Sequence, residues 1–136
     1  AGGKLTTYRR IALEALGRIA ADLPPHRLDP RPWPLPGAAG AAHLPAGLEP
    51  DVRDHLRHLY GSRAADVVAP AAADPSLLER LHPDGPDIAA QAVFAIDHEW
   101  ARTPEDVLRR RTTVTLRGLA TEAVRARVEA LFQRRA

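Results

Sequence analysis

Apolar residues recur along most of the chain at the spacing of an α-helix, with charged residues between them. In the N-terminal segment they stand at every fourth position, which predicts an amphipathic helix from Thr6 or Thr7 to about Asp22. The face predicted to pack against a core consists of Ile11, Ala15, Ile19 and Leu23. Charged residues lie on the opposite face, and Glu14 and Arg18 among them are spaced for an i,i+4 ion pair.

Further helices are predicted by the same spacing and by residues that favour helix ends. Their ranges are Pro50 to about Tyr60, Arg63 to Ala73, Asp87 to Trp100, Thr103 to about Arg110, and about Thr121 to Arg134. A short turn of helix is predicted from Pro75 to Leu81. Gly61 is a natural stop for the helix that begins at Pro50. Thr103 suits an N-cap, Pro104 suits the first helical position, and Asp106 can complete a capping box.

The segment from Asp87 to Trp100 is the most apolar one and is predicted to be the central helix. Its predicted core face consists of Ile88, Ala92, Ile96 and Trp100. Because Phe94 lies off that face, two sides of the helix are expected to be covered. In the other helices the predicted apolar positions are Val52, Leu56, Leu59, Ala64, Val67, Val68, Ala71, Val124, Val128 and Leu131.

A long loop is predicted after the first helix. The stretch from Leu23 to Pro50 holds eight of the 13 prolines, together with several glycines. Proline lacks a backbone donor and glycine resists ordering, so neither helix nor central strand is expected there. Trp33 and Leu35 indicate that part of this loop is pinned to the body of the domain.

The predicted fold class is all-α: a helical bundle of five to six helices with a long Pro/Gly-rich loop after the first helix. The only strand-like run is TTVTL, from Thr112 to Leu116. A length of 136 residues suits one domain, and 45% hydrophobic with 26% charged residues indicates a globular one. Aromatic residues make up only 4%, and Cys and Met are absent, so aliphatic residues must fill the core.

Composition also limits the environment and the partners. The absence of Cys excludes disulfides and thiolate metal sites within this chain. No apolar run approaches the ~20 residues of a membrane span. The start at Ala1, with no secretory signal after it, is more typical of a cut within a longer chain. The net charge is +2. Nearly all of the basic residues are arginines, since Lys4 is the only lysine.

The segment from Gly2 to Arg9 reads GGKLTTYR and precedes the first predicted helix. Glycines let the backbone approach a ligand closely, and a helix N-terminus presents unpaired N–H groups with partial positive charge. Such an edge can bind anions or the carbonyl oxygens of a cofactor. The alternative reading of the same residues is an ordinary capped helix after a loose glycine tail.

A second charged segment, from Asp97 to Thr112, reads DHEWARTPEDVLRRRT. Its charged side chains are interpreted as an ion-pair network that locks two helices, and the run Arg109 to Arg111 is the alternative, a phosphate-binding patch. His98 and Glu99 lack the second histidine of the helical zinc motif. The six histidines are scattered, and none is predicted to pair with a carboxylate and a nucleophile. No dinucleotide-binding GxGxxG motif is present.

These two segments, in this order and about a hundred residues apart, resemble the C-terminal region of FAD-dependent (aerobic, respiratory) glycerol-3-phosphate dehydrogenases. The related α-glycerophosphate oxidases share the first segment. Between the two segments, the LPG run from Leu35 to Gly37 and the YG pair at Tyr60 and Gly61 fall in the expected order. The resemblance covers essentially the whole chain.

The resemblance implies an FAD enzyme that oxidises glycerol 3-phosphate to dihydroxyacetone phosphate and passes electrons to quinone, or to oxygen in the oxidases. It implies that residues 1–8 end the FAD-binding domain and that residues 9–136 form a helical cap. The backbone at Gly3, Lys4, Leu5 and Thr6 is then expected to face the flavin, and Lys4 to help hold the substrate phosphate. The other substrate ligands and the catalytic base are expected upstream.

The expected partners are the upstream FAD-binding domain, glycerol 3-phosphate and quinone, with a homo-oligomer left open and nucleic acid not expected. The enzyme is expected in the cytoplasm, peripheral to the inner face of the cell membrane. No metal site and no catalytic residue are predicted in this chain, which alone is expected to be inactive. The alternatives are a free-standing helical interaction module and a basic nucleic-acid-binding domain that uses Arg109 to Arg111.

Overall fold

The computed structural model of the chain describes residues 5–24 and 33–134. The chain divides into two compact units, Ala1–Trp33 and Pro34–Ala136. In the described part of the second unit the helices surround one apolar core, whereas the described residues of the first unit contain a single α-helix.

The first unit contains helix α1, Tyr8–Arg18, between the 3-10 turns Leu5–Thr7 and Ala20–Asp22. The predicted helix is therefore confirmed, and so is the ion pair between Glu14 and Arg18, at 3.2 Å. The prediction of a buried apolar face was wrong for the described chain, because α1 contains no buried residue. Within this unit the other described elements are two short turns, which leave the helix face uncovered.

The second unit contains the other α-helices of the described chain. They are α2 (Pro50–Tyr60), α3 (Ala64–Val68), α4 (Ala89–His98), α5 (Pro104–Asp106) and α6 (Glu122–Gln133). Short 3-10 turns join them at Gly61–Arg63, Ala69–Ala72 and Pro75–Leu78, and a π-helix, Val107–Arg111, continues α5. The all-α class is confirmed: the described residues contain one isolated bridge, between Arg80 and Ile88, and no strand.

Helix α4 is the central helix, as predicted. Every residue from Ala89 to Ala95 is buried, and α3 and α6 both pack against the helix. Small side chains make this possible, because alanine lets neighbouring helices approach closely. The predicted apolar positions of α3 and α6 are also buried in this core.

In the second unit, Leu59 and Trp100 were assigned to core faces but are exposed instead. Leu59, in the last turn of α2, is 48% exposed. Trp100 is 83% exposed, because α4 ends at His98 and the chain reverses before the indole can continue the helical face. Because the helix ends two residues before Trp100, the helical spacing that predicted burial of Trp100 does not extend to that residue.

Residues 33–49 of the Pro/Gly-rich stretch contain turns and bends without helix. Residues 25–32 lie outside the described range, so the full length of the predicted loop stays a prediction. The strand-like run from Thr112 to Leu116 is a series of turns. Its Val114 is nevertheless 1% exposed and belongs to the core.

The loop is pinned to the body of the domain by backbone and not by the side chain of Leu35, which is 78% exposed. Ser62 donates its N–H to the carbonyl of Gly37 at 3.0 Å. Gly37 and Gly61 both have positive φ, at 90° and 56°, and a Cβ on either would collide with backbone of the opposing segment. Only glycine satisfies both the conformation and the close approach.

The start of α5 confirms the predicted capping box. The Thr103 hydroxyl accepts from the Asp106 N–H at 3.2 Å, and the Asp106 carboxylate accepts from the Thr103 N–H at 3.0 Å. Beyond this cap the helix widens into the π-helix that ends at Arg111. Such wide turns are often found beside functional sites.

We expect Gly61→Ala to destabilise the domain by about 3 kcal/mol, from left-handed strain plus the collision with Gly37. Gly40 also has positive φ, 82°, but a Cβ there meets nothing within 4 Å, which makes Gly40→Ala a matched control that costs about 1 kcal/mol. Urea unfolding of both variants measures the difference. Equal losses would show that the backbone contact contributes nothing beyond the strain.

Candidate functional site

The N-terminal edge holds the residues predicted to face a cofactor. Gly3 and Lys4 lie outside the described residues, as does the side chain of Leu5. Leu5–Thr7 forms a 3-10 turn that leads directly into α1, and Thr6 is exposed. The first turn of α1 carries no acidic residue, so nothing there opposes an anion at the positive end of the helix.

Among the described residues of the second unit, one carboxylate is buried and has several donors around it. Asp87 is 1% exposed and precedes α4. It accepts from His55 Nε2 of α2 at 2.8 Å, and from the Thr113 hydroxyl and N–H at 2.7 and 3.1 Å. Gln91 adds a longer hydrogen bond at 3.3 Å and accepts from the Ile88 N–H at 2.9 Å. The carboxylate therefore joins α2, α4 and the turns after α5.

The charge of Asp87 is maintained by its donors. Burial is the largest influence and by itself raises the pKa of the carboxyl. The hydrogen bonds from His55 and Thr113 outweigh it and hold the pKa of Asp87 below its ordinary value. The site stabilises the fold, because each oxygen of the carboxylate is occupied by the protein itself.

No histidine was predicted to pair with a carboxylate and a nucleophile together, and the pairing of His55 with the Asp87 carboxylate alone was not foreseen. The sequence spacing of 32 residues gave no signal for this pair, which forms only when α2 packs beside the start of α4. The arrangement is not a nucleophilic triad, since Thr113 donates to Asp87 and not to the histidine. Among residues 5–24 and 33–134 no group of three or more His, Cys, Asp or Glu is placed to hold a metal ion.

An open cleft lies where α4 ends. Its lining residues are Leu59, Tyr60, His98, Glu99, Trp100, Arg110 and Arg111. The Tyr60 ring packs edge-on against Phe94, with centroids 5.8 Å apart, and the His98 ring lies against the same phenyl group at 4.9 Å. Burial raises the pKa of Tyr60 to about 12, so its phenol stays protonated at neutral pH and does not act as a base there.

Trp100 occupies the first position after the C-cap of α4 with φ of 59°, the left-handed conformation. Glycine is the usual residue at this position, because any side chain there costs roughly 1 kcal/mol or more. The turn is held on both sides. Ala101 is 3% exposed and donates its N–H to the Ala95 carbonyl at 3.0 Å, while Arg111 donates to the Glu99 carbonyl at 3.0 Å.

The arginine run after α5 forms ion pairs with neighbouring acids, as predicted. Arg109 pairs with Glu105 at 3.4 Å, and Arg110 pairs with Asp106 at 2.6 Å. Arg111 reaches Glu99 at 3.5 Å and so links the ends of two helices. The carboxylates partly neutralise this run, which weighs against the alternative of a phosphate-binding patch.

The helices of the second unit define the class of the protein: an all-α domain in which described charged side chains form ion pairs and hydrogen bonds with one another. No helix among residues 5–24 and 33–134 is long and apolar enough to cross a bilayer.

Comparison with known proteins identifies the family. The family described as the C-terminal domain of alpha-glycerophosphate oxidase matches residues 28–135. The chain belongs to this family, and the resemblance predicted from its two charged segments is confirmed. No solved structure matches the chain at a significant level.

The similar curated proteins are much longer than this chain. The glycerol-3-phosphate dehydrogenase of Synechocystis sp. is 38% identical in an alignment of 130 positions, which covers 85% of this chain and 23% of that protein. Glycerol-3-phosphate dehydrogenase 2 of Mycobacterium bovis is 38% identical in an alignment of 128 positions, which covers 85% of this chain and 22% of that protein. The D-erythritol 1-phosphate dehydrogenase of Brucella abortus is 35% identical in an alignment of 142 positions, which covers 92% of this chain and 26% of that protein. The chain thus spans about a quarter of the length of these relatives.

We expect Asp87→Asn to lower the free energy of unfolding at pH 7 by about 2 kcal/mol, because an amide cannot accept from all the donors that face it. Since the folded pKa of Asp87 is depressed, the stabilisation is complete above the ordinary carboxyl value near 3.8 and is lost as pH falls through the folded value. Urea unfolding between pH 7 and pH 3 should therefore show the two proteins converging in stability at low pH.

The matched control is Asp84→Asn, because that carboxylate is 80% exposed and lies 3.8 Å from His82. It should change stability by less than about 0.5 kcal/mol. A constant difference between wild type and Asp87→Asn at every pH would contradict the role given to the charge of Asp87.

Proposed function

We propose that this chain is the C-terminal helical cap of an FAD-dependent enzyme that oxidises sn-glycerol 3-phosphate to dihydroxyacetone phosphate, with electrons passing to quinone. The observation that carries the proposal is the family match over residues 28–135 together with relatives that are glycerol-3-phosphate dehydrogenases. The chain corresponds to about a quarter of those relatives, so the flavin-binding domain and the catalytic base belong to the part that precedes it. The cap alone is inactive and stabilises the enzyme.

The proposed boundary places residues 1–8 with the FAD-binding domain and residues 9–136 with the cap. The turn at Leu5–Thr7 and the helix that follows support this placement, since they present a helix N-terminus without an acidic residue in its first turn. The backbone at Gly3, Lys4, Leu5 and Thr6 faces the cofactor, and the positive end of α1 favours negative charge there. When bound, FAD supplies the two-electron oxidation.

Lys4 is assigned to the substrate phosphate. It is the only lysine of the chain, and an ammonium group is a compact point charge that suits a phosphate monoester. The enzyme works in the cytoplasm at the inner face of the membrane, where quinone is available.

The test is an assay of the intact polypeptide that contains this chain. Purified protein should carry flavin absorbance and reduce a quinone analogue when glycerol 3-phosphate is added. D-erythritol 1-phosphate should be assayed beside it, because the Brucella abortus relative carries that name. Turnover of the longer polyol phosphate alone would correct the substrate, and a polypeptide without bound flavin would overturn the proposal.

We expect Lys4→Ala in the intact enzyme to raise KM for glycerol 3-phosphate about ten- to a hundredfold, because one charge-assisted contact is worth roughly 1.5–3 kcal/mol. Flavin content should not change. Arg10→Ala is the matched control, since it removes an exposed cation on the nearby helix and should leave KM unchanged. An unaltered KM in the Lys4 variant would remove this residue from the substrate site.

A further inference from the structure

The most exposed aromatic side chain of the described chain occupies a backbone position that ordinarily selects glycine. Trp100 is 83% exposed and has φ of 59°. Neither the core nor the turn requires a tryptophan here: the core does not contain it, and the turn would accept glycine with less strain. Strain of this kind tends to persist at positions that contact a ligand or a partner.

The backbone that presents the indole is fixed on both sides. On one side Arg111 donates to the Glu99 carbonyl through Nη2 at 3.0 Å and Nε at 3.3 Å. On the other side Ala101 is buried and bonded to the end of α4. The backbone at Trp100 therefore lies between two hydrogen-bonded neighbours, and the indole at this turn is exposed.

The surface beside Trp100 has the composition of a protein interface. Leu59, 48% exposed, lines the same cleft as the indole. Tyr60, Arg110 and Arg111 line it as well. Tryptophan, tyrosine and arginine are the residues that most often carry binding energy at interfaces, in an arrangement of apolar centre and polar rim.

We infer that this Trp100 face, defined by Leu59, Tyr60, Trp100, Arg110 and Arg111, docks on the part of the same polypeptide that precedes this chain. The inference rests on the proposed function only in requiring that longer polypeptide. Relatives carry more than three-quarters of their length outside the region matched here. That length provides a covalently attached partner which every copy of the domain possesses.

A covalently attached partner also explains how a surface as small as the Trp100 face can be sufficient for docking. The apolar centre consists of two exposed side chains and an open cleft. A separate partner would need a larger area, because association of free molecules costs translational and rotational freedom. A tether removes most of that cost by raising the effective concentration of the second surface.

The test places the photo-crosslinking residue p-benzoylphenylalanine at position 100 of the intact, flavin-loaded polypeptide. Position 116 is the matched control, since Leu116 is also apolar, 88% exposed and outside the cleft. After irradiation, cross-linked peptides are mapped by mass spectrometry in a mixture of isotopically light and heavy protein. The expected result is a light–light or heavy–heavy cross-link from position 100 to a peptide that precedes Ala1, with several-fold lower yield from position 116.

Other products would overturn the inference. Mixed light–heavy adducts of doubled mass would assign the face to a second copy, and adducts with added phospholipid vesicles would assign it to the membrane surface. Equal yields from both positions, or no adduct at position 100, would show that the face is not buried against the preceding domain.

A substitution gives an independent readout. Trp100→Gly keeps the turn, because glycine suits the left-handed conformation, and it should raise amide hydrogen exchange in the same upstream peptides that the cross-link identifies. Leu116→Ala should leave that exchange unchanged. Equal exchange in the Trp100 variant and the wild type would contradict the inference.

Flavin content and glycerol 3-phosphate oxidation, measured on the same preparations, separate the two hypotheses. A cross-link without oxidation overturns the proposed function alone. Oxidation without a cross-link overturns the inference about the Trp100 face alone.

Discussion

The buried carboxylate of Asp87 joins parts of the chain that helix packing alone would leave free to slide. Its oxygens accept from α2 through His55, from the first turn of α4 through Gln91, and from the turns after α5 through Thr113. A buried charge is tolerated only where donors replace its hydration. Formation of any one contact therefore favours the others, and the register of these three segments is set together.

Around Asp87 the core consists largely of alanine and valine. Contacts between these side chains are non-directional, so they do not by themselves select one arrangement of the helices. Helix α4 is covered on all sides from Ala89 to Ala95. Small side chains allow several close approaches, and polar contacts select among them. The backbone contact between Gly37 and Gly61 does the same for the loop, since only one arrangement brings these two glycines together without collision.

Most of the polar side chains described in the second unit form ion pairs or hydrogen bonds within that unit. This agrees with the assignment of the chain to a family of C-terminal domains. Arginines pair with carboxylates, the phenol of Tyr60 remains protonated, and Asp87 is saturated by protein donors. Two exposed surfaces of the described residues carry the functional proposals. One is the helix N-terminus at Leu5–Thr7, proposed to face the cofactor, and the other is the exposed indole of Trp100, proposed to contact the preceding domain.

The sequence by itself determined the all-α class, the boundaries of α2 and α6, and the capping box at Thr103, because these depend on helical spacing and contacts between near neighbours. It also determined the family, through the two segments GGKLTTYR and DHEWARTPEDVLRRRT taken in order. Only the tertiary structure decided that His55 meets Asp87, 32 residues away, and that α4 stops before Trp100. The first outcome depends on which distant segments pack together, and the second depends on the burial of Ala101 in the core just after Trp100. No local sequence pattern encodes either.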